Sequence, residues 1–161
     1  YILFVGTLEP GKNLEFIYKI SENINENIDF VIVGNNGWKT KKIKNENIKF
    51  FSGIDELYLS ALYKSASLLA YPVIYEGVGL PLYEAKFFGI PIISSDYPAA
   101  QEIISPENIL PLDINLWIKR IKEILLTPNI LIKNSTNENH SGWMEHCEKL
   151  MCNYSEYPAL K

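Results

Sequence analysis

Short unbroken apolar runs alternate along the chain with longer stretches in which apolar residues recur every three or four positions. The runs are YILFV at 1–5, FVIV at 30–33, IKFF at 48–51, LLAY at 68–71 and IPII at 90–93, each closed by a glycine, a proline or a polar cluster. Strands buried on both faces read this way, because helices cover both sides of the sheet and little room is left for polar alternation. Between the runs, Leu14, Ile17, Ile20 and Ile24 make one stripe over 13–24, with Asn13 as the candidate N-cap. Residues 55–66 repeat the pattern with Asp55 as cap and Leu59, Leu62 and Tyr63 inside. Residues 80–88 predict a short helix stopped by Gly89, and 115–126 a helix turning Leu116, Ile118, Ile121, Leu125 and Leu126 inward before Pro128. Strand and helix in alternation predict an α/β domain built on a doubly wound, parallel, Rossmann-like sheet. The expectation is one domain over 1–161, with its core in 1–127 and a polar tail over 128–161 that ends in a further helix near 142–152.

Composition narrows the class without naming a function. With 161 residues, 47% hydrophobic and 21% charged, the chain is long enough for one globular core. Its net charge of −4 speaks against nucleic acid as a partner. Lys39, Lys41, Lys42, Lys44 and Lys49 crowd one stretch, which suits either a solvated face or a patch for acidic lipid or another anionic partner. Cys147, Cys152, His140 and His146 fit neither a disulfide framework nor a zinc pattern, and no metal is expected. Asn134, Asn139 and Asn153 open N-x-S/T sequons of the kind that an Asn-rich chain throws up by chance. Without a signal-peptide pattern or a run long enough to span a bilayer, a cytoplasmic location is expected, with peripheral contact at the inner face of a membrane as its variant.

The candidate chemistry lies where the strands end. In open α/β sheets ligands bind beyond the carboxyl ends of the strands, against helix N-termini that favour phosphate. Gly6, Gly34, Gly53, Gly77 and Gly79 all follow apolar runs, and Lys12 precedes the first helix, placed to bond a phosphate oxygen. Taken singly, each glycine is equally a turn residue. The segment YEGVGLPLYEA at 75–85 concentrates the signal, with Gly77 and Gly79 for close backbone approach and Pro81 for a helix start. Glu76 and Glu84 stand eight positions apart around them. Carboxylates accept from paired hydroxyls, as on a ribose or a hexose. The plainer alternatives are a solvated loop acid at Glu76 and a dipole-stabilising acid at Glu84. Tyr71, Tyr75 and Tyr83 surround the segment, either as packing or as a stacking wall.

The segment YEGVGLPLYEAKFFGIPIISSD resembles the glutamate-x7-glutamate signature of the family-4 retaining glycosyltransferases. YILFVGTLEPGKNL resembles the phosphate loop that opens the C-terminal lobe of these enzymes, and VIVGNNGW and IKFFSGIDELYLSALYKSASLLAYP resemble the segments between, in order and spacing. The likeness covers roughly 1–127, and VGTLEP with VIVG and GW looks most like the mannosyltransferase branch. The resemblance implies one lobe of a GT-B fold that binds a GDP- or UDP-hexose, mannose favoured, and passes the sugar to a glycan or lipid-linked acceptor without a metal. It implies Glu84 on the ribose hydroxyls, Glu76 on the donor sugar, and Lys12 on the diphosphate leaving group, making Glu76 and Lys12 the catalytic pair. The backbone of Gly77, Val78, Gly79 and Leu80 would follow the sugar and diphosphate, Gly6 and Thr7 would flank the phosphates, and Gly53 and Ile54 would line the base.

Three positions depart from the pattern. Thr7 and Gly11 stand where relatives often carry arginine, so diphosphate compensation would rest on Lys12 alone, and Val78 replaces a phenylalanine on one wall of the sugar site. The resemblance also implies an N-terminal acceptor lobe that these 161 residues lack. The chain, whether a fragment or a lobe that needs a partner, is therefore expected to bind nucleotide or nucleotide-sugar without efficient transfer. Three rivals stay open: a glycoside hydrolase using two carboxylates, a dinucleotide-binding domain, though TLEPG after Gly6 is no G-x-G-x-x-G, and a non-catalytic sugar-nucleotide-binding or scaffold domain.

Overall fold

The computed structural model describes residues 1–24, 27–38 and 45–127. The lysines at 39–44, the Cys/His pairs, the sequons and the expected last helix lie outside them. Five strands form one all-parallel sheet: β1 (Ile2–Val5), β2 (Phe30–Val33), β3 (Ile48–Phe51), β4 (Leu68–Tyr71) and β5 (Ile92–Ser94), in the order β3-β2-β1-β4-β5. Every residue of β1, β2 and β4 is buried, as their unbroken apolar runs require. The helices are α1 (Leu14–Asn23), α2 (Glu56–Ser65), α3 (Leu80–Phe87), α4 (Pro98–Ile103) and α5 (Ile114–Leu126). Right-handed crossovers place α1 on one face of the sheet and α2 and α3 on the other. The packing follows suit: Phe16 of α1 meets Trp117 of α5 edge-on at 5.3 Å, while Tyr63 of α2 stacks on Phe88 just past α3 at 5.6 Å.

Three elements differ from their sequence expectation. The last strand starts two residues later than IPII and ends one later, because Pro91 has no N–H and serves only as an acceptor, from Leu69, before the ladder begins. Its final residue is Ser94, buried because its hydroxyl donates to the Tyr71 carbonyl at 3.1 Å. In α5 Ile121 is buried and Ile118 and Leu125 pack against the core as expected, but Trp117 is buried with them, whereas Leu116 is 45% and Leu126 82% exposed. The indole sets this rotation: it is the largest side chain to hide, and its N–H is satisfied by the Pro111 carbonyl at 2.9 Å. The short helix α4 was not anticipated; six residues opened by a proline carry too little periodicity to read.

Asp55 caps α2 as expected, accepting from the Tyr58 N–H at 2.7 Å. Asn13 does occupy the position before α1 but makes no side-chain cap. It adopts a left-handed backbone, φ 54°, and its amide donates instead to the Pro72 carbonyl at 3.0 Å. Together with Ile74 N–H to the Gly11 carbonyl at 2.8 Å, this stitches the loop after β1 to the loop after β4.

Candidate functional site

The strand order reverses between β1 and β4. The chain leaves β1 toward β2 on one side and leaves β4 toward β5 on the other, so the loops at their carboxyl ends part and open a crevice, the usual ligand position in such sheets. One wall is the loop Gly6–Asn13 and the other is Pro72–Gly79. The wall on the β1 side is braced by the loop after β2. Leu8 N–H donates to the Asn35 carbonyl at 2.9 Å, and a Cβ on Gly34 would lie 1.9 Å from the Gly6 carbonyl oxygen, so only glycine lets the two backbones meet.

Lys12 reaches across the crevice from a single 3-10 turn, Pro10–Lys12, and its Nζ forms an ion pair with Glu76 Oε2. The two residues are 64 positions apart in the chain. Tyr71, the last residue of β4, joins them: its hydroxyl donates to the same Glu76 oxygen at 2.7 Å and accepts from Lys12 Nζ at 3.3 Å. The other oxygen, Oε1, accepts from the Gly77 N–H at 3.1 Å. Burial works to raise the Glu76 carboxyl, but the bonds from Lys12 and Tyr71, the Lys12 charge and the Gly77 N–H outweigh it and hold the group below the usual carboxylate range. Burial, followed by the bond to Glu76 and its charge, raises the Tyr71 phenol far above its ordinary value, so it stays a neutral donor.

The helix after this loop starts without a side-chain cap. Gly79 precedes it with φ 74°, and a Cβ there would lie 3.1 Å from the Tyr97 hydroxyl. The first-turn N–H groups of α3 therefore depend on something other than a capping side chain. Tyr97 is itself unusual. Its hydroxyl is the one fully buried side-chain polar atom among the described residues without a hydrogen bond. Burial raises this phenol, the nearby Ser94 hydroxyl works the other way, and the charge of Glu76 raises it further.

Glu84 lies in the second turn of α3, 7% exposed, where Tyr63 of α2 donates to its Oε2 at 2.6 Å. Its charge reaches Tyr71 and helps to raise that phenol. Gly53 and Ile54 follow β3 on the same carboxyl edge, two strands from β1, where Asn35 Oδ1 accepts from the Gly53 N–H at 3.2 Å. Thr7 is exposed beside Gly6, and Val78 and Leu80 stand exposed at the crevice mouth with Ile74 and Tyr75. The sequence-derived loop residues follow the carboxyl ends of the strands, and the contact that joins the β1 loop to the β4 loop among them is Lys12 with Glu76, whereas Glu84 turns to Tyr63. Tyr71, Tyr63, Asn13 and Asn35 were missed as polar participants. Tyr71 reads as strand packing, and only its place as the last residue before a loop hints that its hydroxyl emerges there. At the opposite edge a separate cleft of about 400 Å³, lined by Tyr1, Asn27, Ile28, Asp29, Ser67 and Leu125, holds none of these groups. Of the crowded lysines, Lys49 is described, paired with Asp29 at 2.6 Å. Among the described residues no helix is long and apolar enough to cross a membrane.

Comparison with known proteins agrees with this geometry. A family profile described as Glycosyl transferases group 1 matches residues 1–139. The chain is 25% identical over 122 residues to the O-antigen chain mannosyltransferase B of Escherichia coli, covering 68% of this chain and 32% of that protein. It is 27% identical over 141 residues to the O-antigen chain mannosyltransferase RfbU of Salmonella typhimurium, covering 81% and 40%. Among solved structures, Anabaena HepE in complex with UDP and glucose superposes with a TM-score of 0.70 at 12% identity, over 97% of this chain and 46% of that one. The chain thus spans about a third of the length of the curated relatives it matches. The sheet, the crevice at its switch point and the profile match over most of the sequence lead to one conclusion: this chain belongs to the group 1 glycosyl transferases, on a Rossmann-like GT-B lobe.

Proposed function

We propose that the chain is the donor-binding lobe of a retaining hexosyltransferase that takes a GDP- or UDP-hexose, mannose favoured, and passes the sugar to a glycan or lipid-linked acceptor held by a separate N-terminal lobe. The observation that carries this reading is the meeting of Lys12 and Glu76 across the switch-point crevice, beside the uncapped start of α3. The diphosphate lies over the N–H groups of Gly77 to Leu80, where the helix dipole favours an anion. Lys12 neutralises the charge that grows on it as the bond from the anomeric carbon to the phosphate oxygen breaks and the acceptor oxygen bonds that carbon, passing its proton to the departing phosphate oxygen. Such a contact is worth roughly 3–4 kcal/mol where it acts in the transition state. Glu76 accepts from hydroxyls of the sugar and Glu84, oriented by Tyr63, from those of the ribose. Gly53 and Ile54 border the base. Thr7 and Gly11 leave Lys12 as the principal cation. The mannosyltransferase names of the relatives favour mannose, and the UDP and glucose held by HepE illustrate what a lobe of this shape accommodates.

The test is calorimetric titration of the chain with UDP, GDP and GDP-mannose, repeated on Glu84→Gln and Lys12→Ala. Binding of one nucleotide, weakened at least about tenfold by either substitution, is expected. Absence of binding to all three would leave a scaffold domain that keeps the ancestry alone.

A further inference from the structure

Lys12 and Glu76 satisfy one another, and this creates a conflict for a ligand that needs both. The Lys12 side chain is 14% exposed and that of Glu76 18%, and the bonds of the ammonium go to Glu76 and Tyr71. A diphosphate draws on the same ammonium. We propose that the Lys12–Glu76 ion pair is an exchange contact: the incoming diphosphate takes Lys12 from Glu76, and the Tyr71 hydroxyl holds Glu76 in place as the pair opens. This rests on the donor-binding reading above and makes Tyr71 a positioning residue.

The two partners differ in how firmly they are held. Lys12 is a point charge on a flexible stem whose Cδ and Cε pass over Gly6, each 3.5 Å from where a Cβ would stand. No side chain at Gly6 blocks its swing. Glu76 keeps a donor on each oxygen after Lys12 leaves, Tyr71 on Oε2 and the Gly77 N–H on Oε1. The Tyr71 ring is fully buried at the end of β4, with its centroid 6.2 Å from that of Phe4. Its hydroxyl is therefore a fixed post, and it stays protonated because burial and Glu76 both raise it. Glu76 is thereby held for a sugar hydroxyl when the cation departs. The same ion pair opposes binding of a nucleoside diphosphate, since breaking it is subtracted from what the phosphates gain.

The experiment is a double-mutant cycle on the full 161-residue chain with wild type, Lys12→Ala, Glu76→Gln, the double variant and Tyr71→Phe, all near-isosteric except at Lys12. UDP, GDP, UDP-glucose and GDP-mannose are the titrants, and each variant is melted to verify folding. Glu76→Gln is expected to bind the free diphosphate about 2- to 5-fold more tightly than wild type, the scale of a released partly exposed ion pair. The gain is expected to vanish in the Lys12→Ala background. Tyr71→Phe is expected to keep the diphosphate affinity within about twofold and to lose the increment that the sugar adds. A gain of equal size without Lys12 would mean simple relief of repulsion between Glu76 and phosphate, and would overturn the exchange. So would a wild type that binds, weakened by Lys12→Ala, with no gain in Glu76→Gln; the donor-lobe reading would survive that result. Equal loss of diphosphate and sugar-nucleotide binding in Tyr71→Phe would reduce Tyr71 to packing. Failure of wild type to bind any titrant would end both readings.

Discussion

Glu76 illustrates how a single carboxylate is tuned by neighbours that are distant in sequence. Its folded-state value lies below the usual range because the bonds from Lys12 and Tyr71 and the Lys12 charge outweigh the effect of burial. A depressed carboxylate contributes stability that is fully present above its unfolded value, about 4.3, and lost as pH falls through the lower folded value. The difference in melting temperature between wild type and Glu76→Gln is therefore expected to be constant from pH 7 to about pH 5 and to shrink at lower pH. A flat difference down to pH 3 would contradict the assignment. The buried Tyr97 hydroxyl carries the opposite sign. A desolvated hydroxyl without a partner costs about 1–3 kcal/mol, so Tyr97→Phe is expected to raise the melting temperature. A lower melting temperature would show that the hydroxyl is satisfied in solution. Lys12 and Glu76, which the structure brings together, could be singled out because charged residues beside glycines after apolar runs stand out. Tyr71 and Tyr63 could not, because a tyrosine's hydroxyl has meaning only once the end of its strand or the neighbour of its helix is known.

At the scale of elements, the legible features are those governed by local periodicity and the illegible ones those governed by contact. Four strands fall within a residue of their apolar runs, and Asp55 caps its helix, because both follow from the segment's own composition. In α5 the stripe Ile118, Ile121 and Leu125 meets the core as read, but Leu116 and Leu126 do not, because Phe16 on another helix favours the Trp117 ring for the inside. Asn13 was read as a cap, but the Pro72 carbonyl claims its amide. The contact between the β1 and β2 loops makes a firm prediction. In Gly34→Ala the new methyl would collide with the Gly6 carbonyl, whose loop cannot retreat without breaking the Gly6 and Leu8 bonds to β2 and its loop. A loss of at least about 2 kcal/mol in denaturant unfolding is expected, together with weaker nucleotide binding. Wild-type stability in that variant would mean that the loops part easily.

For the whole molecule, the described residues build one sheet with Lys12 and Glu76 at its carboxyl edge, and the donor-lobe proposal assigns the acceptor to a separate lobe. Alignment of two reactants supplies on the order of 7–11 kcal/mol to such reactions. The chain alone is therefore expected to bind its nucleotide-sugar while transferring hexose to simple glycan acceptors too slowly to detect, as read by mass spectrometry of product and by release of the diphosphate. Appreciable turnover by the pure chain would refute the need for an acceptor lobe. Supplying an acceptor-binding lobe, in trans or in one chain, is expected to give transfer.

Hydrophobic patterning by itself determined the parallel α/β sheet, since strands covered on both faces must be apolar throughout and the helices between them must be striped. The order of glycine loops, Lys12 and the two glutamates carried the resemblance to the glycosyltransferases, and the sugar-nucleotide expectation came with that resemblance. Only the tertiary structure decided that β1 lies beside β4. That adjacency brings residues 12, 71 and 76 into one hydrogen-bonded group, while separate packing gives Glu84 to Tyr63 and sets the Tyr97 hydroxyl beside Gly79. The reason is physical: a pattern of period two or 3.6 records which face of an element is buried, whereas the pairing of strands across a sheet is settled by packing between segments that no local period links.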